Sequence, residues 1–360
     1  AGFAQIRSVQ RDLADDKASV PLPSVGRERI RPGALTAGLF FLPAMPCGCS
    51  ERLQRVPWPP KPTDMLSVLI PNYNYNCLAL VRDLHKQLQE SAEVFEILVF
   101  EDGSTRCVED NSPMEQLPHV RHIVYKENRG RYRMRFLMPT LARFPYLLCI
   151  DSDARVVRPD FIRKYLSYAK AGTKDVLVGG LASRPETVQD AGHSLRLAYE
   201  RERESRRDIK KGLSCFNCMI PAAMMRKLEV DEGFPEGYGH EDMVIGLELK
   251  RLGAKIVQID NPLLHLGLDT NAAMLDKSVD AGRVLWALYR SGRYPAVAEE
   301  SRLLHAYLRI RRMGLCWLLD LTYGAVRKRL RKNLLSEDPR MRDFDFFRLG
   351  EMSRAAASLK

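Results

Sequence analysis

The stretch YLLCIDSD, residues 146–153, decides the fold because it joins a short apolar run directly to two carboxylates. The run at 146–150 predicts a buried strand. Asp151 and Asp153 lie one residue apart and would repel each other in a half-buried cleft unless a divalent cation lay between them. Mg²⁺ and Mn²⁺ prefer oxygen ligands and usually share them with a substrate phosphate. The stretch therefore predicts a strand whose carboxyl end carries a metal and phosphate site.

Similar apolar runs precede and follow this strand, and helical patterns separate several of them. Further strands are predicted at residues 66–71, 96–100, 120–125, 175–178 and 255–259, with helices at 77–89 and 131–144. This alternation predicts an α/β fold with a mostly parallel sheet. Ligands of such sheets bind beyond the carboxyl ends of the strands, so the residues that follow each strand form the candidate site.

Polar residues follow two more of the predicted strands. The sequence NYN comes after the first strand at 72–74, and EDGS comes after the second at 101–104. We expect both segments to meet Asp151 in one crevice, because the ends of parallel strands lie at one edge of a sheet. A structural alternative stays open, since Asp and Ser also cap helices and stabilise turns.

A second acidic pair, Glu241 and Asp242, follows a segment with glycines at 237 and 239. Glycine gives such a segment the backbone freedom to place a carboxylate in a cleft. The pair also begins a predicted helix, where the helix dipole favours carboxylates, so a purely structural role stays open. His265 follows the strand predicted at 255–259 and is a candidate third metal ligand, although a single histidine is as often structural.

The chain has 360 residues and a net charge of +11 that is unevenly distributed. Residues 301–335 contain nine Lys or Arg and one acid, whereas residues 65–300 are balanced. The balanced central region argues against a nucleic-acid partner. The basic segment fits either a peripheral membrane contact or helices that pack on the main domain with a solvated charged face. No run of about 18 apolar residues occurs, so no membrane-spanning helix is expected.

The eight cysteines do not form a disulfide scaffold in a chain of this length, which favours a reducing, cytoplasmic compartment. Cys215-x-x-Cys218 has the spacing of a zinc or redox site. Its one close-spaced counterpart is Cys47-x-Cys49, in a proline-rich segment. A metal role for the first pair is therefore not expected.

The chain divides into three segments by composition. Residues 1–64 hold nine of the 21 prolines, a density that breaks helices and sheets. We expect this segment to be a disordered or spurious N-terminal extension with Met65 as the natural start, and a signal or lipid-anchor segment is the alternative. Residues 65–295 then form the main domain, and residues 296–360 form a basic amphipathic helical tail.

Four motifs occur in order along the chain: LIPNYN at 69–74, FEDGS at 100–104, IDSDA at 150–154 and GYGHED at 237–242. Together they resemble the motifs of family 2 glycosyltransferases, and the resemblance covers about residues 66–270. It implies the GT-A fold, a Rossmann-like and mostly parallel sheet flanked by helices with a C-terminal helical extension. It also implies an inverting enzyme of the bacterial type.

The reaction implied by this resemblance moves a sugar from a nucleoside-diphosphate sugar, with a UDP-sugar favoured, to a hydroxyl group. The acceptor would be a glycan or a lipid-linked molecule in the synthesis of cell-surface glycan or polysaccharide. The enzyme would work in the cytoplasm, at the inner face of the membrane if residues 301–335 contact lipid.

The resemblance also assigns residues to the donor. Pro71 and Tyr73 match the loop that holds the nucleotide base, and Asp102 matches the acid that hydrogen-bonds uracil. Arg131 and Arg135 follow the segment that resembles the family's Asn-x-Gly turn, so they are expected to face phosphate.

A second set of assignments concerns metal and catalysis. Asp153 matches the ligand of Mn²⁺ or Mg²⁺ on the diphosphate, and Asp151 matches its partner near the ribose and the metal. His265 matches the third metal ligand. Asp242 matches the catalytic base, and Glu241 matches an acid that orients the acceptor or the donor.

Two other interpretations are weighed against this one. A metal-dependent sugar nucleotidyltransferase would normally carry a glycine-rich loop after the first strand, where this chain has NYNYN at 72–76. A non-catalytic nucleotide-sugar-binding scaffold would not need both acidic pairs, and this chain has both.

Overall fold

The computed structural model describes residues 64–182, 190–204 and 212–358. The N-terminal extension predicted at 1–64 therefore lies outside the described residues, apart from its last residue. The strands are β1 (Asp64–Asn72), β2 (Val94–Asp102), β3 (Val120–Tyr125), β4 (Tyr146–Ile150), β5 (Ala154–Arg155), β6 (Val176–Val178), β7 (Leu181–Ala182), β8 (Asn217–Pro221), β9 (Ile256–Gln258) and β10 (Leu263–His265).

The helices alternate with the strands in the first half of the chain and follow one another in the second half. They are α1 (Leu78–Glu90), α2 (Val108–Asn111), α3 (Arg131–Leu141), α4 (Phe161–Lys170), α5 (Ser194–Tyr199), α6 (Ala222–Met225), α7 (Glu241–Arg251), α8 (Asn271–Ser291), α9 (Val297–Glu300), α10 (Arg302–Arg312), α11 (Cys316–Leu334) and α12 (Met341–Ser358). A π-helical turn at Glu200–Glu204 extends α5.

Seven strands of the described chain form the main sheet, in the order β3-β2-β1-β4-β8-β6-β9. β1 is parallel to both β2 and β4, and β2 is parallel to β3. β8 is antiparallel to its neighbours β4 and β6, while β6 and β9 are parallel. The predicted α/β class with a mostly parallel sheet and a C-terminal helical extension is confirmed.

Strand β8 is not predicted from the sequence. It contains Cys218, which lies directly opposite Cys149 of β4, so the Cys-x-x-Cys segment leads into the centre of the sheet. Its residues 217–220 are all buried and show no polar–apolar alternation, and periodicity does not identify such a short run as a strand.

Within the described ranges, no group of three His, Cys, Asp or Glu side chains is arranged to hold a metal ion.

A second sheet of three short strands, in the order β5-β10-β7, lies beyond the end of β4. β10 runs antiparallel to β5, which places His265 opposite Ala154. Asp153 precedes β5 immediately, so this pairing brings it close to His265 although 112 residues separate the two in the chain.

Alternate residues of β1 pack on opposite faces of the main sheet. Val68 and Ile70 join the hydrophobic cluster that includes α1 and α4. Leu69 joins the other cluster, which includes α3, α7 and α8. Each fully buried side chain of this size stabilises the fold by about 1.5–3 kcal/mol relative to an exposed one. The two hydrophobic clusters therefore hold the main sheet in place, including the edge where its central parallel strands end.

The C-terminal helices contribute to the same cluster as Leu69. Leu304 and Tyr307 of α10, Leu319 of α11 and Met352 of α12 are buried in it. The domain boundary predicted at 295/296 lies between α8 and α9, and residues on both sides of it share this cluster. None of the helices that the structure describes is both long enough and apolar enough to cross a bilayer.

Candidate active site

The residues that follow three neighbouring parallel strands lie at one edge of the main sheet. β2, β1 and β4 are adjacent and point the same way, so Asp102, Asn72 and Asp151 all lie at their carboxyl ends. The three side chains that we expect in one crevice from the sequence therefore lie at the same edge of the sheet.

Glu101 holds the loops on either side of this edge together. Its Oε1 accepts hydrogen bonds from Asn72 Nδ2 at 2.9 Å, Asn111 Nδ2 at 2.8 Å and His122 Nε2 at 3.1 Å. Its Oε2 accepts one from Ser104 Oγ at 2.6 Å. Burial by itself would raise the pKa of Glu101, but these hydrogen bonds lower it below the usual range. Sequence reasoning missed this role of Glu101. Glu101 and Asp102 both follow the same apolar run, and the sequence does not show which partners lie on the face of the strand that each one occupies.

Asp102 is tied to the turn that precedes α3. Its Oδ1 accepts a hydrogen bond from the Arg129 amide at 2.7 Å, and its Oδ2 accepts one from the Gly130 amide at 3.1 Å. Burial raises the pKa of Asp102, and the two amide hydrogen bonds only partly oppose this effect. The carboxylate thus joins the end of β2 to the beginning of α3.

Helix α3 carries two arginines that connect the two acidic pairs. Arg131 Nη2 lies 3.4 Å from Asp151 Oδ2, and Arg131 Nε lies 3.5 Å from Glu241 Oε1. Arg135 Nη2 donates to Asp151 Oδ1 at 2.5 Å. The acids after β4 and the acids at the beginning of α7 therefore face the same helix.

Arg135 is almost completely buried, with 3% of its side chain exposed. Desolvation would lower its pKa, but the charges of Asp151 and Asp242 raise it well above the usual value. Its Nη1 is buried and has no hydrogen-bond partner among the residues that the structure covers. Arg135 is thus a permanent positive charge between the two acidic pairs.

One carboxylate oxygen of Asp242 is fixed by a hydrogen bond, and the other has no partner among the described residues. Its Oδ2 accepts a hydrogen bond from the Cys215 amide at 2.9 Å. Its Oδ1 is buried and has no hydrogen-bond partner in the described part of the chain. The neighbouring Glu241 is also buried; desolvation raises its pKa, Arg131 opposes this effect, and Asp242 adds to it.

Helix α8 holds the segment that leads into these acids. The Tyr238 amide donates to Asp280 Oδ2 at 2.6 Å, and His240 Nε2 lies 3.0 Å from the Ala281 carbonyl. Gly237 has φ +129°, and an added Cβ would meet Asp280 and Val284. This position accepts only glycine without strain, which explains the glycine predicted to give the segment its freedom.

The other predicted metal ligands form a pair. His265 Nε2 lies 2.9 Å from Asp153 Oδ2. Gly267 lies against the same carboxylate so closely that a Cβ there would collide with Asp153 Oδ2. Asp151 does not join this pair, because its carboxylate is turned to Arg131 and Arg135. The structure thus gathers two of the three predicted ligands.

Arg196 of α5 fixes the tautomer of this histidine and was not identified from the sequence. Its Nη2 lies 2.9 Å from His265 Nδ1 and donates to Glu204 Oε2 at 2.7 Å. A guanidinium only donates hydrogen bonds, so Nδ1 accepts and the proton of a neutral ring lies on Nε2, facing Asp153. No local pattern around Arg196 signals this contact, since 69 residues separate the two side chains.

The predicted base-binding loop lies at the rim of the edge. Pro71 is half-buried at the end of β1, and 55% of Tyr73 is exposed. Asn74 fixes the loop, because its Oδ1 accepts from the Thr105 and Arg106 amides at 2.7 and 2.9 Å. An exposed aromatic ring on a fixed loop can stack on a planar ligand.

Comparison with known proteins gives one matching family and several similar structures. Residues 67–234 match the family model described as glycosyl transferase family 2. No curated protein matches the sequence. Among solved structures the chain is similar to the mannosyltransferase PcManGT from Pyrobaculum calidifontis in complex with GDP-Man and Mn²⁺, at 15% identity over 84% of this chain and 90% of that chain, with a TM-score of 0.49. It is also similar to S. aureus TarS 1–349 in complex with UDP-GlcNAc, at 18% identity over 81% of this chain and 92% of that chain, with a TM-score of 0.44.

Proposed function

Because residues 67–234 form a domain of glycosyltransferase family 2, we propose that the protein transfers a sugar from a nucleoside-diphosphate sugar to a hydroxyl group, with inversion. The donor is a UDP-sugar and the acceptor is a glycan or a lipid-linked molecule of the cell surface. The reaction takes place in the cytoplasm.

The observation that carries this proposal is the state of Asp242. A general base must be fixed in place and must keep one oxygen free for the proton it removes. Asp242 meets both conditions, since Cys215 holds Oδ2 and Oδ1 has no partner among the described residues. In the proposed reaction Oδ1 takes the proton of the acceptor hydroxyl as its oxygen attacks the anomeric carbon. Glu241 orients one of the two substrates.

The donor would lie along the sheet edge between Tyr73 and α3. Tyr73 and Pro71 would contact the base, which would also reach Asp102 beside them. The diphosphate would lie near Arg131, which is half-exposed, and near Arg135. These arginines would compensate its negative charge, and the N-terminus of α3 would add the favourable helix dipole.

Mn²⁺ or Mg²⁺ would be held by Asp153, and by His265 once Arg196 leaves Nδ1, because the present contacts with Arg196 and Asp153 use both ring nitrogens. Such ions often take only one or two protein ligands and complete their shell with water and substrate phosphates, so Asp153 with or without His265 fits this role. When bound, the ion would stabilise negative charge on the departing diphosphate. Asp151 would act through its contacts with Arg131 and Arg135, close to the ribose and diphosphate.

Replacing Asp242 with Asn tests the proposal. The Asn side chain keeps an oxygen for the Cys215 amide but cannot take the proton, so turnover should fall about 10²- to 10⁴-fold. Donor affinity should stay within a few-fold, measured from the rise in melting temperature that a bound UDP-sugar produces. Asp83→Asn, an exposed position on α1, is the matched control and should keep parental turnover.

The products separate this function from its alternatives. UDP released from the donor in Mn²⁺ supports sugar transfer, whereas pyrophosphate would indicate nucleotidyl transfer. A protein that binds UDP-sugars but never turns them over would be a scaffold. Parental turnover in Asp242→Asn would refute the assignment of the base.

A further inference from the structure

An exposed apolar surface lies where α10 meets α11. We call it the α10–α11 corner. It consists of Met313, Leu315, Trp317, Leu318 and Leu321, and 54% of Met313 and 63% of both Trp317 and Leu321 are exposed. Single exposed apolar residues are ordinary on a protein surface, but five of them within nine residues form a patch that indicates an interaction site.

Basic side chains surround the corner on both sides in the chain. Arg309, Arg311 and Arg312 end α10 immediately before it, and all three are exposed. Lys328 and Lys332 are exposed on the second half of α11. Residues 301–335 contain nine Lys or Arg and a single acid, Asp320. The apolar patch therefore lies inside a strongly positive surface.

The two properties share one face of α11. Trp317, Leu321, Lys328 and Lys332 follow one another at spacings of four, seven and four residues, which places them along one side of the helix. The N-terminal half of this side is apolar and the C-terminal half is basic. An anionic bilayer surface offers a partner to each half, with apolar chains for Trp317 and Leu321 and phosphate headgroups for the basic residues.

The opposite side of α11 is fixed to the rest of the protein, so the corner is not a free tail. Tyr323 is buried against Gly350 of α12, and its hydroxyl donates to Glu351 Oε1 at 2.5 Å. Arg327 Nε donates to the same oxygen at 2.7 Å. Because the core-facing side chains of α11 are already used, the exposed ones need another partner to be buried.

We propose that the α10–α11 corner binds the surface of an anionic lipid bilayer. Trp317 and Leu321 enter the interface between headgroups, and the surrounding Arg and Lys side chains contact lipid phosphates. A second copy of the chain fits less well, since it would bring two surfaces with a net charge of +8 together. Residues 1–64 fit less well for the same reason, because their net charge is +3.

The tryptophans of the chain allow a direct test. The chain has three, at positions 58, 286 and 317. Trp286 is buried already, so in a Trp58→Phe background a change in emission on binding reports Trp317. The full chain is mixed with phosphatidylcholine vesicles that contain phosphatidylglycerol, or with pure phosphatidylcholine vesicles. We expect a blue shift with the anionic vesicles that weakens as salt is added.

Two variants divide the binding into its parts. Trp317→Ser with Leu321→Ser should abolish flotation with anionic vesicles, whereas Val157→Ser, at an exposed apolar residue elsewhere, should not change it. Lys328→Gln with Lys332→Gln should weaken vesicle affinity about 25-fold, since each basic residue near an anionic surface contributes a factor of about five. Lys227→Gln with Lys255→Gln removes the same charge from other exposed sites and should have a much smaller effect.

The proposal is wrong if anionic vesicles leave the Trp317 emission unchanged, or if the Trp317 and Leu321 double variant floats as well as the parent. It is also wrong if the parent forms a dimer that this variant lacks, because the corner would then bind a second copy. Vesicle binding needs neither donor nor acceptor, so its outcome is independent of the proposed glycosyl transfer.

Discussion

The ion pair between Arg135 and Asp151 should be one of the most strongly coupled pairs in the protein. Arg135 is buried, and Asp151 is its only charged hydrogen-bond partner among the described residues. Removing one member of a buried pair leaves an uncompensated charge and typically costs about 3–5 kcal/mol. Asp151 keeps Arg131 at 3.4 Å and is partly exposed, so Arg135→Met should cost less, about 2–3 kcal/mol.

The converse change should cost a similar amount. Asp151→Asn keeps an oxygen for Arg135 but removes the charge that compensates the guanidinium, so we again expect about 2–3 kcal/mol. In the double variant neither charge is left alone. Its destabilisation should therefore fall short of the sum of the two single changes by about 2 kcal/mol.

Urea unfolding followed by circular dichroism measures these four free energies. Arg203 and Asp345 supply the control, because their side chains lie 2.8 Å apart but are both exposed. An exposed pair is worth at most about 1 kcal/mol, so the coupling in Arg203→Gln with Asp345→Asn should be small. If the coupling between Arg135 and Asp151 is no larger than that of the control pair, α3 does not link the two halves of the site electrostatically.

Two further predictions concern the edges of the site. Hydrogen bonds lower the pKa of Glu101 in the folded protein despite its burial. The charged carboxylate therefore stabilises the fold at pH values above the unfolded pKa of about 4.3. This stabilisation is lost as the pH falls from there through the lower pKa of the folded protein. The unfolding free energy should therefore decrease less between about pH 6 and pH 3 in Glu101→Gln than in the parent, and an identical decrease would contradict the assignment. Gly267→Ala should displace the Asp153 carboxylate and so reduce the rise in melting temperature that Mn²⁺ and donor produce together. The control is Gly324→Ala, where a Cβ meets no atom within 4 Å and the rise should stay as in the parent. Equal rises in the two variants would show that Asp153 does not bind the metal.

The main sheet could be predicted because its central strands are apolar runs that end in polar residues. The predicted strands at 66–71, 96–100 and 146–150 correspond to β1, β2 and β4. β8 could not be predicted, since its apolar run at 218–220 has only three residues and includes Cys218 and Met219, which do not favour strands. The helix predicted to reach residue 144 ends at Leu141, where Ala142 turns to an extended conformation.

The positions of the acidic residues could be predicted more fully than their partners. Asp102 and Asp151 are recognisable because they follow strands, and strand order follows from alternation. Their hydrogen bonds depend on residues far away in the chain, such as Gly130 for Asp102 and Arg196 for His265. Composition and spacing contain no information about such contacts, so the separation of Asp151 from the Asp153–His265 pair could be found only in the folded chain.

Three buried thiols beside the site can report how often this part of the protein opens locally. Cys149, Cys215 and Cys218 are all buried, and the amide of Cys215 holds the oxygen of Asp242. Alkylating reagents modify thiolates that reach solvent, so these three cysteines can be labelled only when the β4–β8 region opens. Cys107 and Cys316 are partly exposed and should be labelled sooner. Cys77 is also buried but lies at the beginning of α1, so the slow phase of labelling that remains in Cys77→Ala would time how often the β4–β8 region opens.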